Sequence, residues 1–381
     1  MAQSKRGCGC ALAVLIVILG GLGYFGYKLL LPWWETKPPP PSGGELQVHV
    51  LDVGPIEGDS ILIISPTHQA VLIDAGDTGK GKVVLDALKR YDVKQLALFI
   101  ASNEHPDHIG GAPEVLKTIK AETVLYNGVS PPGSEPEVAS GKAPANKKKL
   151  VKPAKIVRSD ELPTTKAFND LKSAAAQSGA QFKPAEPGQE YNLGGGARLV
   201  VLAPIQPFFT REQMRAGGNE PNANSVIVRL EYGDFSMLLP GDAETQTEQR
   251  LIERGIDVSA KVLKVAHHGS KYATSEDFIK HVNPEVAIIS DGEYNRYGHP
   301  SQDVLDRLKA AGVRVYRTDL QGEITIITKG KNYEITKAKE AKSDIFAGRQ
   351  AQKDDSARSG FIAYGDFGPP PRPPREKAAK K

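Results

Sequence analysis

The sequence predicts an α/β domain, with strands and helices mixed around a sheet core and a polar site along one edge. Two observations predict it. Short apolar runs with strand patterning interleave with stretches of helical spacing from Leu46 to Thr336. Residues of metal-ligand type recur at the carboxyl ends of those runs: Asp74, His105 to His108, Asp242, His267 and His268, and His299. A third observation separates this domain from its flanks: an uncharged apolar run precedes it, and a polar, proline-broken stretch follows.

Composition narrows the chemistry. A net charge of +4 over 381 residues is too small to argue for nucleic acid by itself. The two cysteines, Cys8 and Cys10, lie at the extreme N-terminus. The rest of the chain can form neither a disulfide framework nor a thiolate zinc site, so any zinc there is held by His, Asp or Glu.

In chain order, residues 1–6 form a short basic tail with Lys5 and Arg6, expected on the cytoplasmic side. Residues 7–31 read as a transmembrane anchor. Gly7 to Tyr27 carries no charge and is about as long as the roughly 20 helical residues that cross a bilayer. Trp33 and Trp34 suit a membrane interface. No small-x-small cleavage pattern follows, which favours an uncleaved signal anchor with the large domain extracytoplasmic. Residues 32–44, with Pro38 to Pro41 and then Ser42-Gly43-Gly44, read as a stiff spacer ending in a flexible joint.

The folded domain is expected over residues 45–337. Leu46 to Asp52 alternates as a strand should, a polar turn through Asp59 follows, and Ser60 to Ser65 and Gln69 to Asp74 are further strands. Asp74, at a strand end, is either a ligand support or a turn former. Lys82 to Tyr91 has helical spacing. Leu96 to Ile100 is a buried strand, and Pro113 to Ile119 a short helix. Between them lies the densest polar stretch, Ala101-Ser102-Asn103-Glu104-His105-Pro106-Asp107-His108-Ile109-Gly110-Gly111. A turn can aim several side chains at one point, and the paired glycines permit close backbone approach. Imidazole nitrogens and carboxylate oxygens here suit a divalent metal, zinc first and manganese second. The plainer alternative is a polar turn with a helix cap.

From 127 to 165 the pattern dissolves into a long insertion carrying Lys147-Lys148-Lys149, which either tracks a phosphate backbone or is simply solvated. Ala167 to Ser178 is helical; Ala197 to Ala203, Ser225 to Tyr232 and Phe235 to Leu239 are strands. The last delivers Asp242 and a helix from Thr245, with Glu248 at capping-box spacing. Lys261 to Val265 delivers His267 and His268, and Thr274 is expected to cap a helix through His281. Val286 to Ile289 leads to a loop carrying Asn295 and His299. A helix from Ser301 to Ala311 and strands at Arg314 to Arg317, Glu323 to Thr328 and Tyr333 to Thr336 close the domain. Residues 338–381 read as a disordered basic tail.

The ordered set Asp-Val-Gly…Gly-Asp-Ser, Ile-Asp-Ala-Gly, His-x-Asp-His-x-Gly-Gly, Gly-Asp-Ala-Glu, His-His-Gly-Ser and Tyr-Gly-His-Pro resembles the metallo-β-lactamase-fold hydrolases. Within them it looks most like the metal-hydrolase domain of ComEC-type competence proteins, which take part in DNA uptake. The resemblance covers Leu46 to Thr328 and implies a four-layer αββα sandwich with the metal site at one edge of its two sheets. It further implies hydrolysis of an ester-type bond by metal-bound hydroxide, on phosphodiesters in the competence group. Carried over residue by residue, it makes His105, Asp107, His108, Asp242 and His267 metal ligands. Asp74, joined by Asn103 and Asp59, would order the metal-binding loop from behind the ligands, and His299 and Asn295 belong to a loop closing over the site. Asp107 would also take a proton from water, and His268 or His299 would stabilise charge or protonate the leaving group.

Two departures shape the expectation. Asn103 stands where the family turn opens on histidine, and none of the eight histidines falls between His108 and His267. One pocket then keeps His105 and Asp242, helped by Asn103; the other keeps Asp107, His108, Asp242 and His267. One firmly held metal and a weak or empty second position follow. Also, Pro55-Ile56-Glu57 fills a glycine turn that usually holds one residue. The functional expectation is a membrane-anchored phosphodiesterase or nuclease, with nucleic acid or another phosphodiester as partner. The alternatives are a lactonase or other ester hydrolase on the same fold, and a degenerate binding member without catalysis.

Overall fold

The computed structural model describes residues 44–131, 134, 163–214, 220–294 and 297–350. The expected anchor at 7–31, the linker up to Gly43, the Lys147 to Lys149 run, Asn295 and the tail beyond residue 350 lie outside the described residues. Among the described residues no helix is long and apolar enough to cross a membrane.

Two sheets carry the domain. One contains β1 (Leu46–Val50), β2 (Ile61–Ile64), β3 (Ala70–Ile73), β4 (Gln95–Ile100), β5 (Lys120–Tyr126), β6 (Gln181–Pro184), β14 (Ile324–Thr328) and β15 (Tyr333–Lys337), in the order β15-β14-β1-β2-β3-β4-β5-β6. The other contains β7 (Glu190–Gly194), β8 (Ala197–Ala203), β9 (Ile227–Tyr232), β10 (Phe235–Leu239), β11 (Val262–Lys264), β12 (Val286–Ile289) and β13 (Arg314–Arg317), in the order β13-β12-β11-β10-β9-β8-β7. In the first, β3 to β6 run parallel; in the second, β10 to β13 do. The remaining pairs are antiparallel.

Burial explains why the central strands are apolar on both faces. Val48, Ile63, Val71 and Ile100 meet Leu199, Val228, Met237 and Ile288 in the core between the sheets. The alternate residues Leu62, Leu72, Phe99 and Val124 face the helices Gly81–Arg90, Ala112–Thr118 and Pro163–Ser178 through Val84, Leu88, Val115 and Phe168. On the second sheet Ala287 and Ile289 face Val304, Leu305 and Leu308 of the helix Gln302–Ala310. The layers are therefore helix, sheet, sheet, helix. Each large apolar side chain so buried stabilises by about 1.5–3 kcal/mol.

Several local expectations change. Thr245 is not the first residue of a capping box: Glu244 occupies the cap position, and Thr245 Oγ1 donates to the Tyr272 carbonyl. Glu248 instead accepts from the backbone N–H groups of Thr274 and Ser275. Ser275, not Thr274, caps the helix Glu276–Val282, accepting from the Phe278 N–H. The helix Pro163–Ser178 starts ahead of Ala167, inside the expected insertion. Residues 338–350 are not a loose tail. Arg317 donates to the carbonyls of Ile345 and Ala347, Arg349 pairs with Asp319, and Phe346 packs beside the Leu308 cluster.

Candidate metal centre

The parallel strands end on one edge, and their carboxyl ends supply the site. After β4, His105 is extended (φ −70°, ψ 144°) and Pro106 opens a one-turn helix, Pro106–Ile109, that carries Asp107 and His108. Gly110 and Gly111 seat this turn. A Cβ on Gly111 would lie 2.2 Å from the Ala75 carbonyl oxygen, and one on Gly110 would lie 2.3 Å from the Thr78 nitrogen. After β11, His267 and His268 both adopt left-handed backbone, φ 50° and 52°. Such a conformation costs of order 1–3 kcal/mol in a non-glycine residue, and two in succession turn the rings in different directions.

His108 is fully buried, and its Nδ1 lies 2.8 Å from Asp74 Oδ2. Asp74 also accepts from the Ser102 N–H at 2.8 Å and the Ser102 hydroxyl at 2.6 Å. A carboxylate can only accept, so His108 carries its proton on Nδ1 and presents the Nε2 lone pair forward. His268 repeats the pattern: its Nδ1 donates to the Ser290 carbonyl at 2.8 Å. The two Nε2 atoms converge on a pair of carboxylates. His108 Nε2 lies 3.1 Å from Asp242 Oδ2 and 3.8 Å from Asp107 Oδ2. His268 Nε2 lies 3.6 Å from Asp107 Oδ2 and 3.6 Å from Asp242 Oδ1. Both Nε2 atoms and Asp242 Oδ1 are buried with no hydrogen bond.

These separations fit a metal. Tetrahedral zinc with bonds of about 2.0–2.2 Å holds its donors about 3.3–3.6 Å apart. Asp59, His108, Asp242 and His268 offer donor atoms all within 4.8 Å of one another. Asp59 stands on the far side of the rings, 3.5 Å from His268 Nδ1 and 4.0 Å from His108 Nδ1. Its Oδ2 is taken by the buried ammonium of Lys264. Asp107 Oδ2 lies on the forward side, 3.8 Å and 3.6 Å from the two Nε2 atoms, and Asp59 stands behind the rings.

Electrostatics point the same way. Asp59, Asp74 and Asp242 act on the buried ammonium of Lys264, and Asp107 joins Asp242 and Asp74 around His108. Burial opposes charging His108, but Asp242, Asp107 and Asp74 raise its pKa well above the ordinary imidazole value. Burial likewise opposes charging His268, and Asp242, Asp59 and Glu57 raise it. Burial would raise Asp107 and Asp242, yet the histidines hold both well below the usual carboxylate range. Burial would lower Lys264, and Asp59 and Asp242 keep it charged. The pocket thus lacks positive charge, which protons on two imidazoles or one divalent cation would supply.

A second group adjoins it. His267 Nε2 lies 3.8 Å from Asp242 Oδ2 and 3.1 Å from Asn222 Nδ2, and its Nδ1 is 3.8 Å from Glu244 Oε1. Burial pushes His267 down to about 3. His105 is also lowered by burial, and it hydrogen-bonds Asn222. Burial thus pushes both imidazoles of this group toward the neutral form.

The chain matches the metallo-β-lactamase superfamily model over residues 53–174. It is 31% identical over 305 residues to ComE operon protein 3 of Bacillus subtilis, covering 75% of this chain and 33% of that protein. It is 36% identical over 285 residues to recombination protein 2 of Haemophilus influenzae, covering 74% of this chain and 28% of that protein. The chain carries a metallo-β-lactamase-fold domain of the ComEC type. It spans about a third or less of the length of these curated relatives. Among solved structures it is similar to Igni18, a metallo hydrolase from Ignicoccus hospitalis, at 13% identity and a TM-score of 0.40 over 74% of this chain and 98% of that one. A likeness of that level bears on no residue of the site.

Set against this ComEC-type domain, the expected residues redistribute. Asp107, His108 and Asp242 come together as ligand candidates, and His268, expected as a catalytic group, stands where His267 was expected. His267 turns instead toward Asn222. Asn103 Oδ1 accepts from the His105 N–H at 2.9 Å, closing the turn. His299 lies against His267, ring centroids 5.5 Å apart. Asn222 and Lys264 were not expected. Asn222 sits on a four-residue helix, Glu220–Ala223, and carries no imidazole to mark it. Lys264 is a charge inside an otherwise apolar strand, and that break in β11 was the available signal.

Proposed function

We propose that this chain is a metal-dependent phosphodiesterase acting on nucleic acid or a related phosphodiester. The observation carrying it is the convergence of two unbonded, buried Nε2 atoms on Asp242 and Asp107. His108, His268, Asp242 and Asp107 hold one divalent cation firmly, zinc by the donor chemistry; His105, His267 and Asn222 form a weaker second position beside it. The group supplies, when bound, Lewis acidity and water that is activated near neutral pH. Asp107, with its side chain 29% exposed, reaches the mouth and accepts the proton of the attacking water. Asp74 and the Ser290 carbonyl hold the rings in register, and Lys264 keeps Asp59 ionised behind them. His299 gives a proton to the leaving oxygen.

Two relatives bear names from competence and recombination, which supports a nucleic-acid substrate, as does the Lys147 to Lys149 run. The uncharged run from Gly7 to Tyr27, flanked by Lys5 and Arg6, supports a membrane anchor at residues 7–31 with the catalytic domain extracytoplasmic. The test is metal content of the purified chain together with cleavage of single-stranded DNA, a model phosphodiester and a lactone. Metal-dependent DNA cleavage that falls steeply with salt is expected. Lactone cleavage alone, indifferent to salt, would replace this assignment with an ester hydrolase.

A further inference from the structure

We propose that Glu57, from the lengthened turn between Gly54 and Gly58, is a positioning residue that orients His299 as the proton donor to the leaving group. The proposal rests on the phosphodiesterase assignment above. Glu57 is buried, 5% exposed, and its Oε1 lies 2.6 Å from His299 Nδ1. A carboxylate accepts only, so Nδ1–H points at Glu57 and the ring exchanges protons through Nε2.

The turn is built to hold this contact. Tyr294 N–H donates to the Pro55 carbonyl at 2.6 Å, and Ile56 bridges Tyr294. A Cβ on Gly292 would lie 2.4 Å from the Ile56 carbonyl carbon, so only glycine lets the two loops touch. The far side is fixed as well. The Ser301 N–H donates to the Gly269 carbonyl at 2.9 Å, and a Cβ on Gly269 would lie 2.6 Å from Pro300 Cβ. His299 is thereby clamped between the lengthened turn Pro55-Ile56-Glu57 and the turn that carries His267 and His268. It packs edge-on to His267, whose Nε2 is 3.8 Å from Asp242, and stacks on the half-exposed Tyr297 at 5.8 Å. The imidazole thereby stands on the His267 side of the site, where the proposed step puts the departing oxygen.

The step balances as follows. Water oxygen bonds to phosphorus as the bond from phosphorus to the departing oxygen breaks. The departing oxygen takes the Nε2 proton of the His299 imidazolium, which leaves the neutral ring with its proton on Nδ1; the water's proton passes to Asp107 and on to solvent, and solvent reprotonates Nε2. A proton donor matters most where the leaving alcohol is a poor one.

The experiment uses the full chain, metal-loaded, with Glu57→Ala, Glu57→Gln and His299→Ala. Two diesters are compared: bis(4-nitrophenyl) phosphate, which needs no acid, and thymidylyl-thymidine, which leaves as an alcohol. Glu57→Ala should lower kcat about 10²-fold on the dinucleotide and only about 3-fold or less on the activated diester, with KM and metal content unchanged. His299→Ala should repeat that contrast, and the double variant should add little. Glu57→Gln, which keeps an acceptor and should fold even where Glu57→Ala does not, should fall between. Long-range ¹H–¹⁵N spectra of the metal-free chain give a readout without activity. Neutral His299, assigned by its loss in His299→Ala, should carry its proton on Nδ1 and shift toward Nε2 in Glu57→Ala. Equal losses on both diesters, or an unchanged tautomer, would overturn the proposal alone. A wild-type chain that cleaves neither diester with any divalent metal would overturn it along with the phosphodiesterase assignment.

Discussion

The two histidine pairs flanking Asp242 make an instructive contrast. His108 and His268 are backed by Asp74, Asp59 and the Ser290 carbonyl, face Asp107, and are pulled toward the protonated form. His105 and His267, a few ångströms away, are lined by Asn222 and pushed toward the neutral form. Both pairs offer two imidazoles to the same carboxylate. What differs is the number of carboxylates behind and beside each ring, and that number, against the burial both pairs share, sets the direction in which each pair is pulled.

The sharpest way to break the contrast is to delete one histidine from each pair. His268→Ala should weaken metal binding about 10³-fold, so that the purified chain no longer retains a stoichiometric ion. His267→Ala should leave that ion in place, as measured by metal content after dialysis. Next in size, Asp107→Ala should lower metal-dependent phosphodiester hydrolysis about 10²-fold, read from kcat at saturating metal. Full activity in that variant would discard the assigned proton acceptor. Asp74→Asn should weaken metal binding about 10-fold, since it removes the charge that fixes the His108 tautomer while keeping the shape; competition with a chelator measures it.

The smallest effect is a pH dependence. The folded-state pKa values of His108 and His268 lie above the ordinary value of about 6.5. Their ion pairs stabilise the metal-free fold fully below that value, and the contribution is lost as pH rises through the raised ones. Asp107 and Asp242 are depressed, so their contribution is present above about pH 4 and lost as pH falls. The melting temperature of the metal-stripped chain should therefore decline from about pH 7 toward pH 9, whereas saturating metal should abolish that decline.

Much of the fold was legible because both faces of its central strands are covered. Val286–Ile289 is a continuous apolar run and Ala197–Ala203 is apolar apart from Arg198; both have clear ends, and their bounds agree with expectation. The strands β5, β6 and β7 were not anticipated: Lys120, Glu122, Gln181 and Glu190 are exposed and break the apolar pattern. The site was legible as a set of strand ends, since His108, Asp242 and Asp74 are named by residue type and place. Which of two adjacent histidines enters the pocket was not, because the choice is made by consecutive left-handed φ values that no local pattern announces. Asn103 misled for a related reason. Its Oδ1 accepts from the backbone of its own turn, a use that chemistry alone does not distinguish from ligation.

The central claim is that the firmly held cation sits between His108 and His268. An anomalous difference map of crystals soaked in zinc measures this directly. One strong peak is predicted within about 2.0–2.2 Å of His108 Nε2, His268 Nε2 and an Asp242 oxygen. A strong peak on His105 and His267 instead, or no ordered peak at either pair, would contradict it.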